Sequence, residues 1–461
     1  MDGKRQKIQQ RLAFMNEPEG EAPRRVQQGT EPSAAKRETE SPAQEERLME
    51  EVCERENLVQ AWERVQSNKG SPGVDGRTID ESWDDLHEHW PAIRKQLLRG
   101  TYKPQPVRRV EIPKPGGGVR KLGIPTVLDR LIQQAVMQVL QKRWDPTFSS
   151  NSFGFRPGRS AHQAVTQAQA YIAEGYQWVV DIDLEKFFDR VNHDRLMARV
   201  AQRVGDKRLL KLIRAFLTAG VMEDGLVSPV DEGTPQGGPL SPLLSNLVLD
   251  DLDRELERRG HRFCRYADDC NIYVRSHRAG KRVMASVCQF LKKKLRLKVN
   301  ESKSAVARPD DRKFLGFRLT TGAEPQRLIS PQALQRFQAR VRELTSRTRG
   351  ISIEQMIGSL KPYLRGWRSY FGFSQDPVVL RNLDARIRRR LRMMIWRQWG
   401  SGPTRYANLR RLGVPHMRAA VAAGSPTGFW AMSRHAAVQQ ALPNAYFDSL
   451  GLPRVSVTSN A

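Results

Sequence analysis

"FCRYADDCNIYV", residues 263–274, sets two adjacent carboxylates, Asp268 and Asp269, in the middle of an otherwise apolar, strand-prone stretch. Ionised acids are costly to take out of water, and two side by side also repel each other. Phe263 to Tyr266 and Cys270 to Val274 have strand composition, with the turn residues Ala-Asp-Asp between them. The segment therefore predicts a tight hairpin with both acids at its tip. Two like charges become tolerable there if a third acid on a neighbouring strand completes a divalent-cation site.

The third acid is sought in "WVVDIDLEKFFDRVNHD", residues 178–194. Period-two alternation puts Val179, Asp181 and Asp183 on one face of a strand and Trp178, Val180 and Ile182 on the other. Carboxylates at a strand end opposite a carboxylate hairpin form the oxygen-rich pocket that hard Mg²⁺ prefers. Two such ions about 4 Å apart activate an attacking hydroxyl and stabilise a leaving pyrophosphate. Taken alone, Asp181, Asp183 and Asp189 fit turn and surface acids equally well, so other segments must decide.

"GTPQGGPLSPLLSNLVLDDLDRELE", residues 233–257, begins as a Pro/Gly loop and ends in a helix pattern. Ser241 is the expected N-cap, Pro242 takes the first helical position, and Leu244, Leu247, Val248 and Leu252 line one face. Gly237 and Gly238 allow a flat base or a sugar–phosphate backbone to approach the main chain. "RRVEIPKPGGGVRKLGIP", residues 108–125, predicts two short strands around a Pro-Gly-Gly-Gly turn. That ribbon carries Lys114 and Arg120, a point charge and a planar fork suited to a triphosphate.

Charge points to a polyanionic partner: the 461-residue chain has a formal charge of +27. Residues 1–50 carry nine Lys/Arg against ten Asp/Glu and no apolar period, so they predict a disordered leader, and the excess of +28 lies wholly beyond them. No window reaches the roughly 18 apolar residues of a membrane span, and the leader lacks an apolar signal core. A cytoplasmic protein without membrane attachment is expected. Cys53, Cys264, Cys270 and Cys288 have no zinc-knuckle spacing and are expected to be reduced, structural thiols.

In this order the segments carry a resemblance. The chain, over roughly residues 50–452, resembles the reverse transcriptases encoded by bacterial group II introns. "YADD" at 266–269 looks like the polymerase metal hairpin, "DLEKFFD" at 183–189 like the first metal strand, and "PQGGPLSPLLSN" at 235–246 like the template-contacting loop and helix. "SFGFRPGRSAHQA" (152–164), "LKVNESKS" (297–304) and "FLGF" (314–317) are similar to the family's second, sixth and seventh blocks, and "GSPGVDGRTI" (70–79) to its amino-terminal extension. The resemblance implies two Mg²⁺ ions held by Asp183, Asp268 and Asp269, because Asp183 stands five residues before the sugar-discriminating aromatic, Phe188. It further implies template or incoming-base contact by Gln236, triphosphate contact by Lys114 and Arg120, and protonation of the leaving pyrophosphate by Lys303.

Residues 340–418 hold eighteen Lys/Arg against four Asp/Glu, half of the whole excess. In "RIRRRLRMMIWRQW", 386–399, Ile387, Leu391 and Ile395 recur every four residues, leaving Arg388, Arg389 and Arg392 on other faces as an expected phosphate track. "KPYLRGWRSYFGF", 361–373, adds Lys361, Arg365 and Arg368 among aromatics and resembles the maturase domain that binds intron RNA. The chain lacks the paired cysteines of the family's carboxy-terminal His-Asn-His nuclease after Cys288, and residues 425–453 resemble the short tail of nuclease-lacking members.

The resemblance thus implies a helix-rich α+β right-hand polymerase. Its parts are a leader (1–50), extension and fingers (51–175), a palm (176–325), a helical thumb or maturase domain (326–420) and a short terminal segment (421–461). The implied function is RNA-directed DNA polymerisation with maturase assistance to splicing and retrohoming. The partners are group II intron RNA, an RNA template, DNA primer or target, and dNTPs, in the bacterial cytoplasm at the nucleoid. A domesticated enzyme of the same fold in DNA repair, phage defence or CRISPR adaptation, and an RNA-binding splicing cofactor without polymerase activity, are the alternatives.

Overall fold

The computed structural model describes residues 47–113, 117–223, 226–228, 232–233 and 237–456. Most of the expected leader, Lys114 and Gln236 lie outside the described residues. Two compact units are distinguished. One comprises residues 1–164, 180–272 and 278–306, the other 165–179, 273–277 and 307–461. The boundary expected at residue 50 falls inside a helix, Leu48–Val52. Its Leu48 and Met49 are buried, and the Met49 N–H donates to the Asp206 carboxylate at 3.0 Å.

After the Leu48–Val52 helix the first unit continues with helices α1 (Arg55–Ser67) and α2 (Ile79–Arg99). Thr78 and Glu81 form a capping box that starts α2, and Gly100 ends it in the left-handed conformation at φ +64°. Strands β1 (Val107–Pro113) and β2 (Val119–Ile124) pair antiparallel, with Ile112 opposite Arg120, as the Pro-Gly-rich turn predicts. They belong to a sheet of order β2-β1-β4-β5, completed by β4 (Val221–Glu223) and β5 (Leu226–Ser228). Helix α3 (Val127–Trp144) follows β2 and is buried on nearly all sides.

The second sheet has the order β6-β7-β3-β8. Its strands are β3 (Trp178–Ile182), β6 (Arg262–Tyr266), β7 (Asp269–Val274) and β8 (Ala305–Ala307). The expected hairpin is present, with one correction. The turn is Ala267-Asp268, so Asp269 opens β7 instead of sharing the tip. In β3 both Val179 and Val180 are buried, so the strand is covered on each face. Helix α4 (Ser241–Arg258) begins one residue earlier than expected: Leu240 is the N-cap and Ser241 is already helical.

The second unit is mostly helical, with one described two-stranded ribbon, β9 (Phe317–Leu319) against β10 (Arg327–Ile329). Helices α5 (Pro331–Leu344), α6 (Ile353–Phe371) and α7 (Pro377–Gln398) start at side-chain caps from Ser330, Ser352 and Asp376. They bury Phe337, Leu360, Leu364 and the expected stripe Ile387, Leu391 and Ile395 in one core. The architecture is the expected helix-rich α+β class, with antiparallel strand pairs and a helical carboxy-terminal region.

The cap of α3 contains a buried acid. Asp129 accepts from Thr126 Oγ1 at 2.8 Å, Tyr102 OH at 2.9 Å and the Gln105 N–H at 3.1 Å. Burial outweighs these donors and pushes its carboxyl up to about 6. A folded pKa raised above the unfolded one gives stability that is full below the ordinary carboxyl range and is lost as pH rises through about 6. The melting-temperature advantage of the wild type over Asp129→Asn should therefore be larger at pH 4.5 than at pH 7.5; thermal unfolding at the two pH values checks it.

Candidate active site and nucleic-acid interface

The two sequence segments that carry the acids meet in the first unit. A cleft of about 1060 Å³ is lined by Asp183, Phe188, Asp268 and Lys303, by Arg120 of β2, and by Gly237 and Gly238 before α4. Gly70, from the segment preceding α2, and Arg130 and Gln134 of α3 also face it. That segment is held against the start of α3, where Arg130 Nη2 donates to Ser71 O at 2.8 Å.

Asp183 follows the last residue of β3. Its N–H is held by Ser304 Oγ at 3.0 Å and its carbonyl by the Asn300 N–H at 2.8 Å. Lys186 then takes a left-handed backbone, φ +49°, and a 3₁₀ turn over Phe187–Asp189 follows. Phe187 goes into the core, while Phe188 packs edge-on against it at 5.3 Å and stays half-buried on the cleft wall. Lys303 Nζ stands 3.9 Å from Asp183 Oδ2, and both side chains are solvent-accessible.

Burial is the main cause that raises the Asp268 carboxyl above its ordinary range; the charge of Asp183 raises it further, and Arg120 opposes both. Asp183 and Arg120 therefore both act on Asp268 across the cleft. One partly desolvated carboxylate under the field of a second, with one guanidinium and one ammonium nearby, is a hard oxygen donor set suited to a divalent cation. Asp269 is half-buried at the start of β7. Among the described residues no three acidic, His or Cys side chains stand together as a metal cluster. The pair Asp183 and Asp268 is what the fold assembles.

Several residues of this site are not legible in the sequence. Phe155 lines the cleft with a left-handed backbone, φ +59°, and an exposed ring 6.4 Å from that of Tyr266. Arg265, in the middle of β6, is fully buried and ion-paired with Asp253, also fully buried, at 2.6 Å. An arginine inside a strand gives no sign in the sequence of whether it points to solvent or to a buried acid. All four cysteines are free, as expected.

The family described as reverse transcriptase (RNA-dependent DNA polymerase) matches residues 112–319, and the group II intron maturase-specific domain matches residues 334–413. The chain belongs to the group II intron reverse transcriptase/maturase family. It is 33% identical to Protein YkfC of Escherichia coli (strain K12) over 59% of this chain and 83% of that protein. It is 39% identical to the group II intron-encoded protein LtrA of Lactococcus lactis subsp. cremoris over 42% of this chain and 32% of that protein, so the match spans about a third of LtrA. A chain of a solved Cas6-RT-Cas1–Cas2 complex aligns at a TM-score of 0.35 and 25% identity, covering 53% of this chain and 42% of that one. The two family matches give this chain a reverse transcriptase domain followed by a maturase-specific domain.

In the maturase-specific region Lys361, Arg365 and Arg368 recur along one side of α6, and Arg365 and Arg368 are exposed. The track expected on α7 is corrected by the structure. Arg388 and Arg392 are buried, because the carboxy-terminal segment covers the side of α7 that the sequence leaves to solvent. Arg388 pairs with Asp448 at 2.8 Å and with Asp384 at 3.5 Å. Arg392 donates to Leu442 O at 2.8 Å and Asn444 Oδ1 at 3.0 Å. Arg389 is half-buried, stacked 3.8 Å over the Trp430 ring and donating to Trp430 O. Asp384 in turn accepts from the Val455 and Ser456 N–H groups. No helix of the described residues is long and apolar enough to cross a membrane.

Arg388→Gln should lower unfolding stability toward the lower end of the roughly 3–5 kcal/mol seen when one partner of a buried pair is removed, since Asp448 is partly exposed. The salt dependence of RNA binding by the folded variant should stay at the wild-type slope. Chemical denaturation and RNA titration at several salt concentrations check the two halves.

Proposed function

We propose that the first unit extends a DNA primer on an RNA template by two-metal nucleotidyl transfer. The observation that carries this reading is the approach of Asp183 and Asp268 across one cleft that also holds Arg120, Lys303 and Phe188. Asp183 and Asp268 of the cleft, with Asp269 as the next residue in the chain, are the residues that would hold Mg²⁺. Bound there, Mg²⁺ would supply activation of the primer hydroxyl and charge neutralisation at the departing pyrophosphate. Arg120, and Lys114 on the same ribbon, bind the triphosphate of the incoming dNTP through charge-assisted hydrogen bonds. Gln236, which precedes Gly237 and Gly238 of the cleft lining in the sequence, is assigned contact with the template or incoming base. The Phe188 ring excludes a ribose 2′-hydroxyl. Lys303, an exposed ammonium 3.9 Å from Asp183, is placed to give a proton to the leaving pyrophosphate.

The second unit binds group II intron RNA through Lys361, Arg365 and Arg368 and so assists splicing and retrohoming. Arg389, whose ring partner Trp430 is partly exposed, contributes at the edge of that surface. The DNA target and the RNA template place the protein at the bacterial nucleoid. A splicing cofactor with a relic polymerase site has no need of the intact Asp183 and Asp268 pair, so the polymerase reading is preferred.

Asp268→Asn should abolish Mg²⁺-dependent extension of a DNA primer on an RNA template, a loss of at least 1,000-fold, and leave RNA affinity within about twofold. Retained extension sinks the assignment. Phe188→Ala should raise ribonucleotide incorporation relative to deoxyribonucleotide by one to two orders of magnitude, on the scale of a single packing contact. A single-nucleotide insertion assay with paired rNTP and dNTP substrates measures it, and unchanged discrimination places the gate elsewhere.

A further inference from the structure

The turn that carries Asp268 is built against a second segment of the first unit, residues 151–154. Ala267 takes a left-handed backbone, φ +57°, which a residue with a Cβ adopts only when its surroundings hold it there. Two contacts do so. The Arg265 guanidinium, with no solvent exposure, uses all five of its N–H groups. Nε and Nη2 grip the two Asp253 oxygens at 2.7 and 2.6 Å, Nη1 reaches Asn246 Oδ1 and Ala267 O at 2.9 Å each, and Nη2 also reaches Ser152 Oγ at 2.7 Å. One charged group thus fixes the turn's carbonyl, helix α4 and the 151–154 segment together.

The second contact is Gly154. A Cβ at this position would lie 2.3 Å from the Ala267 nitrogen and 2.9 Å from the Tyr266 carbonyl carbon. Both neighbours are main-chain atoms of the turn, so neither yields by rotating a side chain. The glycine is itself pinned: Asn246 Nδ2 donates to its carbonyl at 2.9 Å, while the Phe153 N–H donates to Arg265 O at 2.8 Å and the Arg265 N–H to Asn151 O at 2.9 Å. Asn246 is therefore a bridge, accepting from Arg265 and donating to Gly154.

We propose that Gly154 and Arg265 are positioning residues for the metal-holding turn: glycine lets the 151–154 backbone touch the turn, arginine locks its carbonyl, and together they set where Asp268 stands relative to Asp183. Neither residue lines the cleft, and neither touches substrate. The proposal rests on the reading of Asp183 and Asp268 as metal ligands. Divalent ions tolerate only a few tenths of an ångström in ligand distance, whereas a methyl at Gly154 must displace the turn by more than that.

The test is Gly154→Ala in the full chain, with Mn²⁺ alone as the probe. Binding of Mn²⁺ to the protein, followed by electron paramagnetic resonance, should weaken at least tenfold. The kcat for primer extension should fall by a similar factor at saturating substrate, while dNTP KM and RNA affinity stay close to wild type. Unchanged Mn²⁺ affinity and kcat overturn the proposal. Should Gly154→Ala lose its fold, Asn246→Ala, which removes only the bridge between Gly154 and Arg265, decides by the same two readings. Asp268→Asn measured alongside separates the levels: if it keeps wild-type Mn²⁺ binding and extension, the metal assignment itself fails, whereas its loss beside an unaffected Gly154→Ala defeats the positioning role alone.

Discussion

The polymerase unit depends on holding two carboxylates near each other in a cleft that already withdraws water from one of them. Burial and the field of Asp183 both oppose ionisation of Asp268, so the bare site is a standing electrostatic load. On the proposed reading a divalent cation relieves that load. The fold must keep the acids from relaxing apart when no ion is present, and an exposed flexible loop cannot do this. A hairpin turn clamped by a buried guanidinium and by a glycine packed on its backbone can. The order β6-β7-β3-β8 brings the end of β3 beside that turn, although some eighty residues of chain separate the two.

Arginine serves two separate purposes in this chain. Arg265, Arg388 and Arg392 are internal and bond acids, carbonyls or amides in the absence of any RNA, although the buried Nε of Arg388 has no partner. Arg365 and Arg368 are exposed on α6. A count of positive charge treats these groups alike, but only the second kind releases counterions when a polyanion binds. The basic character of residues 340–418 is therefore in part a device for joining the carboxy-terminal segment to α7, through Asp384 and Asp448.

Local signals were legible where the chemistry is local. The β1–β2 ribbon, the YADD hairpin, the 3.6-residue stripe of α7 and the helix after the Pro/Gly loop all rest on turn residues or periodicity within twenty residues, and all are present. Boundaries slipped by one residue where a cap was inferred from residue type: Ser241 has a good capping side chain but makes no cap, because Leu240 already occupies that position. Placing both acids at the hairpin tip failed for a related reason. Asp269 is drawn into the ladder of β7, which a strand's backbone hydrogen bonds favour over a wider turn.

The sequence by itself determined the types of element, the identity of the acids and the family's order of motifs, since these are written in neighbouring residues and their spacing. Only the tertiary structure decided which arginines face inward, that Gly154 is a contact and not a hinge, and that Asp183 acts on Asp268 across one cleft. A side chain's environment is set by segments distant in the chain. Asp253 reaches Arg265 from a helix and Asp448 reaches Arg388 from the carboxy-terminal segment, and no local pattern of a strand or a helix records what will be packed against it.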